Sequence, residues 1–232
     1  MKNIFILTGA GISAESGLRT FRDGDGLWEG HKVEEVATPG AFAVDPELVH
    51  DFYNMRRSQL LNAEPNLAHH ALVRLKRRYE GHLTLVTQNV DDLHERAGMR
   101  DVMHMHGELL KKRCVWCQKV SDCVSRLTVK SVCDDCGHEG TLRPHIVWFG
   151  EMPLLMDQIH EQLTKADLFV SIGTSGVVYP AAGFADEAKR HGAKLIEANL
   201  AGTEISPLFD EHLHGTATET VPQLVEELIA LI

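Results

Sequence analysis

Two pairs of cysteines carry the most readable chemistry in this chain. Cys114 and Cys117 form one CxxC, Cys133 and Cys136 form another, and 15 residues separate the pairs. This is the spacing of a two-knuckle zinc ribbon, in which four thiolates fill a tetrahedral shell. A filled shell leaves no position for water or substrate, so the expected Zn2+ holds structure and polarises no bond. Cys123 falls outside the pattern and reads as a buried or incidental thiol.

Four other groups could do chemistry. The run Gly9-Ala10-Gly11-Ile12-Ser13-Ala14-Glu15-Ser16-Gly17 follows an apolar segment, where exposed backbone N–H groups can receive a pyrophosphate. Its third glycine lies six residues after the second instead of three, so an ordinary tight turn competes with nucleotide binding. Gln88, Asn89 and Asp91 follow a second apolar run and offer amide and carboxylate groups suited to ribose hydroxyls. Capping of a helix over 90–97 is the alternative for Asn89 and Asp91. His104 and His106 share one side of an extended segment, and imidazole is the side chain that titrates near neutrality. Tyr53 and Arg56 are three apart and share a helix face, so a phenol and a guanidinium can converge on a carboxylate. The competing reading makes Tyr53 a core aromatic and leaves Arg56 and Arg57 on a solvated face.

These groups need a scaffold. Short apolar runs at 3–8, 83–87, 168–172 and 194–198 read as buried strands, each separated from the next by helix-like stretches. Such alternation implies a doubly wound, Rossmann-like parallel sheet covered on both faces. Asp45-Pro46 and Thr220-Val221-Pro222 look like helix starts, and Gly81, Gly98 and Gly192 like helix stops. Two stretches break the rhythm. The expected organisation is a Rossmann-like domain from 1–29, 81–110 and 143–232, a helical insertion over 30–80 and a zinc-binding insertion over 111–142, the two insertions forming one small domain.

The whole-chain balance narrows the function. With 23 Lys+Arg against 33 Asp+Glu the net charge is −10, which argues against a general nucleic-acid binder. No apolar run reaches the roughly 20 residues that span a bilayer, so a soluble protein without membrane contact is expected. Paired cysteines as metal ligands suit a reducing cytoplasm. There is no GxSxG elbow and no HExxH motif, so direct amide hydrolysis lacks its usual equipment.

Taken in order, Leu18-Arg19-Thr20-Phe21-Arg22, Thr87-Gln88-Asn89-Val90-Asp91, His106-Gly107-Glu108, the four cysteines, Phe149-Gly150-Glu151, Gly173-Thr174-Ser175 and Asn199 resemble the motifs of the sirtuin family, of the bacterial CobB type. The resemblance covers essentially the whole chain. One departure is Thr20, where many sirtuins carry aspartate, so no role of that carboxylate carries over.

The resemblance implies an NAD-dependent protein-lysine deacylase, an acyl transferase that consumes NAD. In sirtuins the acyl-lysine oxygen attacks the ribose carbon bearing nicotinamide, giving free lysine, nicotinamide and O-acyl-ADP-ribose. It selects His106 as general base, with Asn89 and Asp91 lining the nicotinamide pocket. Gly9, Ala10, Gly11, Ser13, Phe21, Arg22, Trp28, Gln88, Gly173, Thr174, Ser175, Asn199 and Ala217 are the remaining implied cofactor contacts. Val147, Phe149 and Gly150 would offer backbone to an extended acylated peptide, a buried strand being the alternative. The Tyr53-x-x-Arg56 pair resembles that of sirtuins removing succinyl or malonyl groups, and Gly24 stands where that subclass keeps a small residue. Protein ADP-ribosyl transfer and a non-catalytic NAD or ADP-ribose sensor are the competing functions.

Overall fold

The computed structural model describes residues 2–18 and 30–230. Strand β1 (Ile4–Thr8) enters a 3-10 turn over Ala10–Ser16. Short helices α1 (Val33–Val36) and α2 (Pro39–Val44) lead to the long α3 (Pro46–Asn62) and α4 (Leu67–Arg78). Then come β2 (Leu83–Thr87), α5 (Leu93–Ala97), β3 (Val102–His104), β4 (Gly107–Cys114), β5 (Val120–Asp122) and β6 (Leu142–Ile146). The chain closes with α6 (Met156–Leu163), β7 (Leu168–Ile172), α7 (Phe184–Arg190), β8 (Lys194–Asn199), β9 (Glu211–His214) and α8 (Ala217–Ala230).

The six-stranded sheet runs β3-β2-β1-β7-β8-β9, with every pairing parallel. All five residues of β1, β2 and β7 are buried, which is why these segments read as unbroken apolar runs rather than alternations. Alternation survives only in which face each residue serves. Ile4 and Ile6 pack with α4 and α8, whereas Phe5 and Leu7 pack with α6 and α7. Burying each such side chain contributes about 1.5–3 kcal/mol. Strand order reverses between β1 and β7, so the loops leaving these neighbours diverge and open a crevice at the carboxyl ends of the strands.

A second unit holds α1–α3 and the antiparallel sheet β5-β4-β6. The two insertions touch directly: Asn54 on α3 donates to Leu127 O at 2.7 Å and accepts from Leu127 N at 2.9 Å. Arg57 donates to Leu109 O, Asn54 Oδ1 and Ser125 O and is almost fully buried, so it does not lie on a solvated face. The helix α4, at the end of the 30–80 stretch, packs through Ala68, Leu72 and Leu75 onto the parallel sheet beside α8.

Some sequence expectations shift. Asp45 caps α3 by accepting from Leu48 N, and Gly98 ends α5 in the left-handed conformation, both as expected. The last helix starts at Ala217, ahead of Thr220, so Pro222 lies inside it; the Thr220 N–H and hydroxyl both donate to Thr216 O. Strands β3 and β9 were not foreseen: Val102–His104 and Glu211–His214 are too short and too polar to stand out. Residues 147–151 form no strand; Val147 N donates to His106 O and Glu151 N closes a turn on Trp148 O.

Candidate active site

The glycine loop is held by packing against its neighbour. Gly9 N donates to Ile172 O and Gly11 N to Gly173 O, so these N–H groups serve the β7 loop. A Cβ on Gly11 would come within 2.6 Å of the Gly173 Cα, and Gly173 itself sits at φ +61°. The glycines thus let two backbones interlock at the switch point. Glu15 anchors the far side, accepting from Thr218 N and Thr218 Oγ1 at the start of α8, where a carboxylate also favours the helix dipole. Asn66 reaches in from the start of α4 to Ile12 O and Ser16 Oγ.

Beside this loop lies a closed polar chain. Asn89 Nδ2 donates to Gly9 O and to Ser13 Oγ, each at 3.1 Å, and Ser13 Oγ donates to Asp91 Oδ2 at 3.0 Å. Asp91 Oδ1 accepts from Leu93 N, as in the capping alternative, so one oxygen meets the start of α5 while Oδ2 serves the loop through Ser13. Burial raises the Asp91 carboxyl above its ordinary range, against the pull of the Leu93 and Ser13 hydrogen bonds. Gln88 extends from β2, its N–H bonded to Thr8 O.

His106 stands between β3 and β4 at the same end of the sheet. Its Nδ1 lies 3.0 Å from Gln88 O. A carbonyl only accepts, so Nδ1 carries the proton and Nε2 of the neutral ring presents its lone pair. Burial lowers the His106 pKa from its usual value, with the Gln88 bond opposing. Gly107, at φ +81°, permits the close pairing that follows, since a Cβ there would meet His145 O at 2.1 Å. His104, the other candidate, is committed to Glu95 Oε1 at 2.7 Å and Asn89 O at 3.3 Å.

On the β7–β8 side of the crevice, Thr174 Oγ1 pairs with Ser171 Oγ. Asn199 Nδ2 donates to Thr174 O at 2.7 Å, joining the ends of β7 and β8. Ser175 follows in the same loop, and Ala217 opens α8. Phe21, Arg22, Gly24 and Trp28 lie outside the described residues. Tyr53 is 1% exposed, packed with Phe52 and Trp148, and its hydroxyl accepts from Trp148 Nε1 at 2.9 Å. The Arg56 charge bears on that phenol from one helical turn away.

The contacts that Glu15, Asn66 and Trp148 make with these groups carry no local sequence signal. Their partners lie about 50 to 200 residues away along the chain, beyond any local pattern. His94 is a fourth such residue, bonded through Nε2 to Thr8 Oγ1 beneath the loop and stacked edge-on against His69. Burial holds both rings neutral, His69 down to about 4 with help from His70 and His94 well below its ordinary value. The unfolded imidazoles take up protons near pH 6.5 and the folded ones do not. Stability should therefore fall as pH drops from 6.5 towards 4, by up to about 3 kcal/mol for His69 alone. Urea melts at pH 7.5 and 5.0 test this: His69→Gln should lose less on acidification than the parent chain, and parallel losses would refute the assignment.

The four cysteine sulfurs lie within 4.8 Å of one another, with Cys114–Cys136 and Cys117–Cys133 at 3.7 and 3.8 Å. A tetrahedral zinc with Zn–S bonds of about 2.3 Å spaces its sulfurs about 3.8 Å apart, so the donor set fits zinc. Cys123 is buried outside the group, with its thiol against Ser125 O. Cys114 closes β4, whose other end is Gly107; seven steps of about 3.4 Å place it roughly 20 Å or more from His106. Chelation or Cys117→Ser should release one zinc per chain and abolish amide protection over 111–142. Protection that persists without the metal would contradict the structural role.

Comparison with known proteins decides the family: a "Sir2 family" profile matches residues 9–180. The chain belongs to the Sir2 family, the sirtuins. A curated relative from Vibrio vulnificus (strain YJ016), named "NAD-dependent protein deacylase", is 56% identical over 231 residues, covering 99% of this sirtuin and 94% of its own length. The solved structure of a Sir2 homologue–NAD complex is 43% identical with a TM-score of 0.90, covering 99% of this chain and 90% of the other. A Sir2 structure bound to acetylated peptide is 30% identical with a TM-score of 0.83, covering 97% and 92%. The fold expected from the strand–helix alternation is thus that of the family. Among the described residues, no helix of this sirtuin is long and apolar enough to cross a membrane.

Proposed function

We propose that this sirtuin is a cytoplasmic NAD-dependent protein-lysine deacylase, acting on acetyl-lysine and on acyl groups that end in a carboxylate. The observation that carries the reading is the tautomer of His106: Nδ1–H is committed to Gln88 O, leaving Nε2 as a base at the carboxyl ends of the parallel strands. NAD supplies a ribose carbon activated by its nicotinamide leaving group, and the acyl-lysine oxygen is the nucleophile.

The residues divide the remaining work. His106 Nε2 takes a ribose hydroxyl proton, and its lowered pKa keeps the ring in the basic form at neutral pH. Asn89, Ser13 and Asp91 hold one another rigidly beside the glycine loop, so their polar edges meet the nicotinamide half without reorganising. The interlocked loops of β1 and β7, with Thr174, Ser175, Asn199 and Ala217, take the diphosphate and adenosine half. Gly9, Ala10, Gly11 and Gly173 form the close backbone floor; the family resemblance adds Phe21, Arg22 and Trp28, outside the described residues, as cofactor contacts. Val147, Phe149 and Gly150 pair with the substrate backbone, which makes recognition of flanking sequence modest. Tyr53 and Arg56 take the distal acyl carboxylate. The relatives' names and the NAD and acetyl-peptide complexes of the similar structures support this reading.

Mass spectrometry of the products tests it. O-acyl-ADP-ribose together with unmodified lysine is expected; a peptide that gains ADP-ribose would establish protein ADP-ribosyl transfer instead.

A further inference from the structure

We infer that His104 is a positioning residue for the deacylation reaction: it stands in the fold as an imidazolium whose two N–H groups tie Glu95 to the Asn89 backbone, holding the Asn89–Asp91 segment beside the glycine loop. The inference rests on the proposal that Asn89 and Asp91 serve the nicotinamide half of NAD. The two histidines of His104-Met105-His106 differ in what their nitrogens meet. At His106 the acceptor is Gln88 O, on Nδ1, which one N–H satisfies. At His104 both nitrogens face acceptors: Nε2 lies 2.7 Å from Glu95 Oε1 and Nδ1 lies 3.3 Å from Asn89 O. An ionised carboxylate and a carbonyl only accept. A neutral ring would set a bare lone pair against one of them, whereas a ring protonated at both nitrogens satisfies both.

The surroundings favour that charge. His104 is buried at the end of β3. Glu95 faces it from α5, Asp91 and Asp92 from the turn before α5, and Glu108 from β4, while His94 of α5 is held neutral by burial. Burial opposes the charge, but the Glu95 hydrogen bond and the Glu95 and Glu108 carboxylates outweigh it and raise the His104 pKa above its ordinary value. The consequence falls on the site. Asn89 N donates to Thr87 Oγ1 at 3.0 Å, His104 takes Asn89 O, and Leu109 N donates to the next carbonyl, Val90 O, at 2.8 Å. The Asn89 backbone is thus clamped on both sides, which fixes the direction of the side chain that donates to Gly9 O and Ser13 Oγ. Burial raises the Asp91 carboxyl, and the His104 charge works against it, towards the anion that suits a ribose carbon gaining positive charge. His104 acts through Asn89 and Asp91 and not on the reacting atoms.

Two measurements test this. In an NMR spectrum of isotope-labelled imidazole nitrogens, the ring missing from His104→Gln should show both nitrogens protonated at pH 7.0 in the parent; a neutral ring there would overturn the inference without reference to turnover. Steady-state kinetics with NAD and one acetyl-lysine peptide then compare the parent, Glu95→Gln, His104→Gln and Asn89→Ala. Glu95→Gln keeps an acceptor but removes the charge that holds the proton on. The organising proton is present at low pH and lost as pH rises through the His104 pKa, so lowering that pKa brings the alkaline fall of kcat to lower pH. The ratio of kcat at pH 8.5 to that at pH 6.5 should be at least about threefold smaller in Glu95→Gln than in the parent, and parallel profiles would overturn the role. His104→Gln should lower kcat about tenfold at both pH values with KM for the peptide within about twofold. Turnover near the parent's in His104→Gln, beside a collapse in Asn89→Ala, would overturn the role of His104 and leave Asn89 in the site. Unchanged turnover in Asn89→Ala would remove the site assignment and the inference with it. If His104→Gln does not melt cooperatively, Glu95→Gln, whose side chain is 40% exposed, picks out the ring by its shifted titration and carries both measurements.

Discussion

His106→Tyr folds, retains its zinc and loses NAD-dependent deacylation, with kcat/KM falling by about 10²- to 10⁴-fold for every acyl group. The loss follows from the geometry of one ring. Nδ1 is spent on Gln88 O, and Nε2 is the atom left to accept a proton. A phenol at this position has no comparable lone pair near neutral pH. The zinc module should be untouched, because its ligands are at the far end of β4. The pH profile of the parent chain makes the same point with a defined sign. A base whose pKa is lowered by burial stays active below its ordinary value, so the acid limb of kcat/KM should lie under pH 6.5. Retained turnover in His106→Tyr, or an acid limb well above 6.5, would remove His106 from the role.

Arg56→Met lowers desuccinylation about 10- to 100-fold while changing deacetylation by less than about threefold. Methionine keeps most of the side-chain volume and removes the charge, so the variant separates packing from recognition. A succinyl carboxylate brought into this pocket would lose its charge-assisted donors and pay desolvation without return. An acetyl methyl has nothing to lose. Tyr53 alone offers a single neutral hydrogen bond, worth less than the guanidinium fork. Equal losses on the two substrates would defeat the assignment and return Tyr53 to being only a core aromatic beside Trp148.

How far these features could be read from sequence depended on how local their causes are. The cysteine pairs were legible because zinc imposes short, fixed spacings, and the four sulfurs converge as that spacing requires. Strands β1, β2 and β7 were legible because central parallel strands are buried on both faces and so read as apolar runs. Short edge strands give no such signal, and β3 and β9 went unread. The start of α8 was misplaced because Pro222 suggests a first turn, whereas the helix begins five residues earlier at Ala217, tied through Thr218 to Glu15. The glycine loop reads as a nucleotide site or a tight turn, and the bonds of two of its N–H groups to the β7 loop, a partner more than 160 residues away, leave no trace in the local pattern. His106 could be chosen over His104 only by resemblance. The contacts that distinguish the two rings, Glu95 on His104 and Gln88 O on His106, are made only in the fold.

The deacylase account is tested most directly by following nicotinamide release from NAD by the purified protein, with one peptide carrying acetyl-lysine, succinyl-lysine or unmodified lysine. The account predicts nicotinamide in equal amount to the lysine freed, with both acylated peptides and with neither the unmodified peptide nor NAD alone. Deacylation without NAD, or nicotinamide release that does not depend on the acyl group, would contradict it.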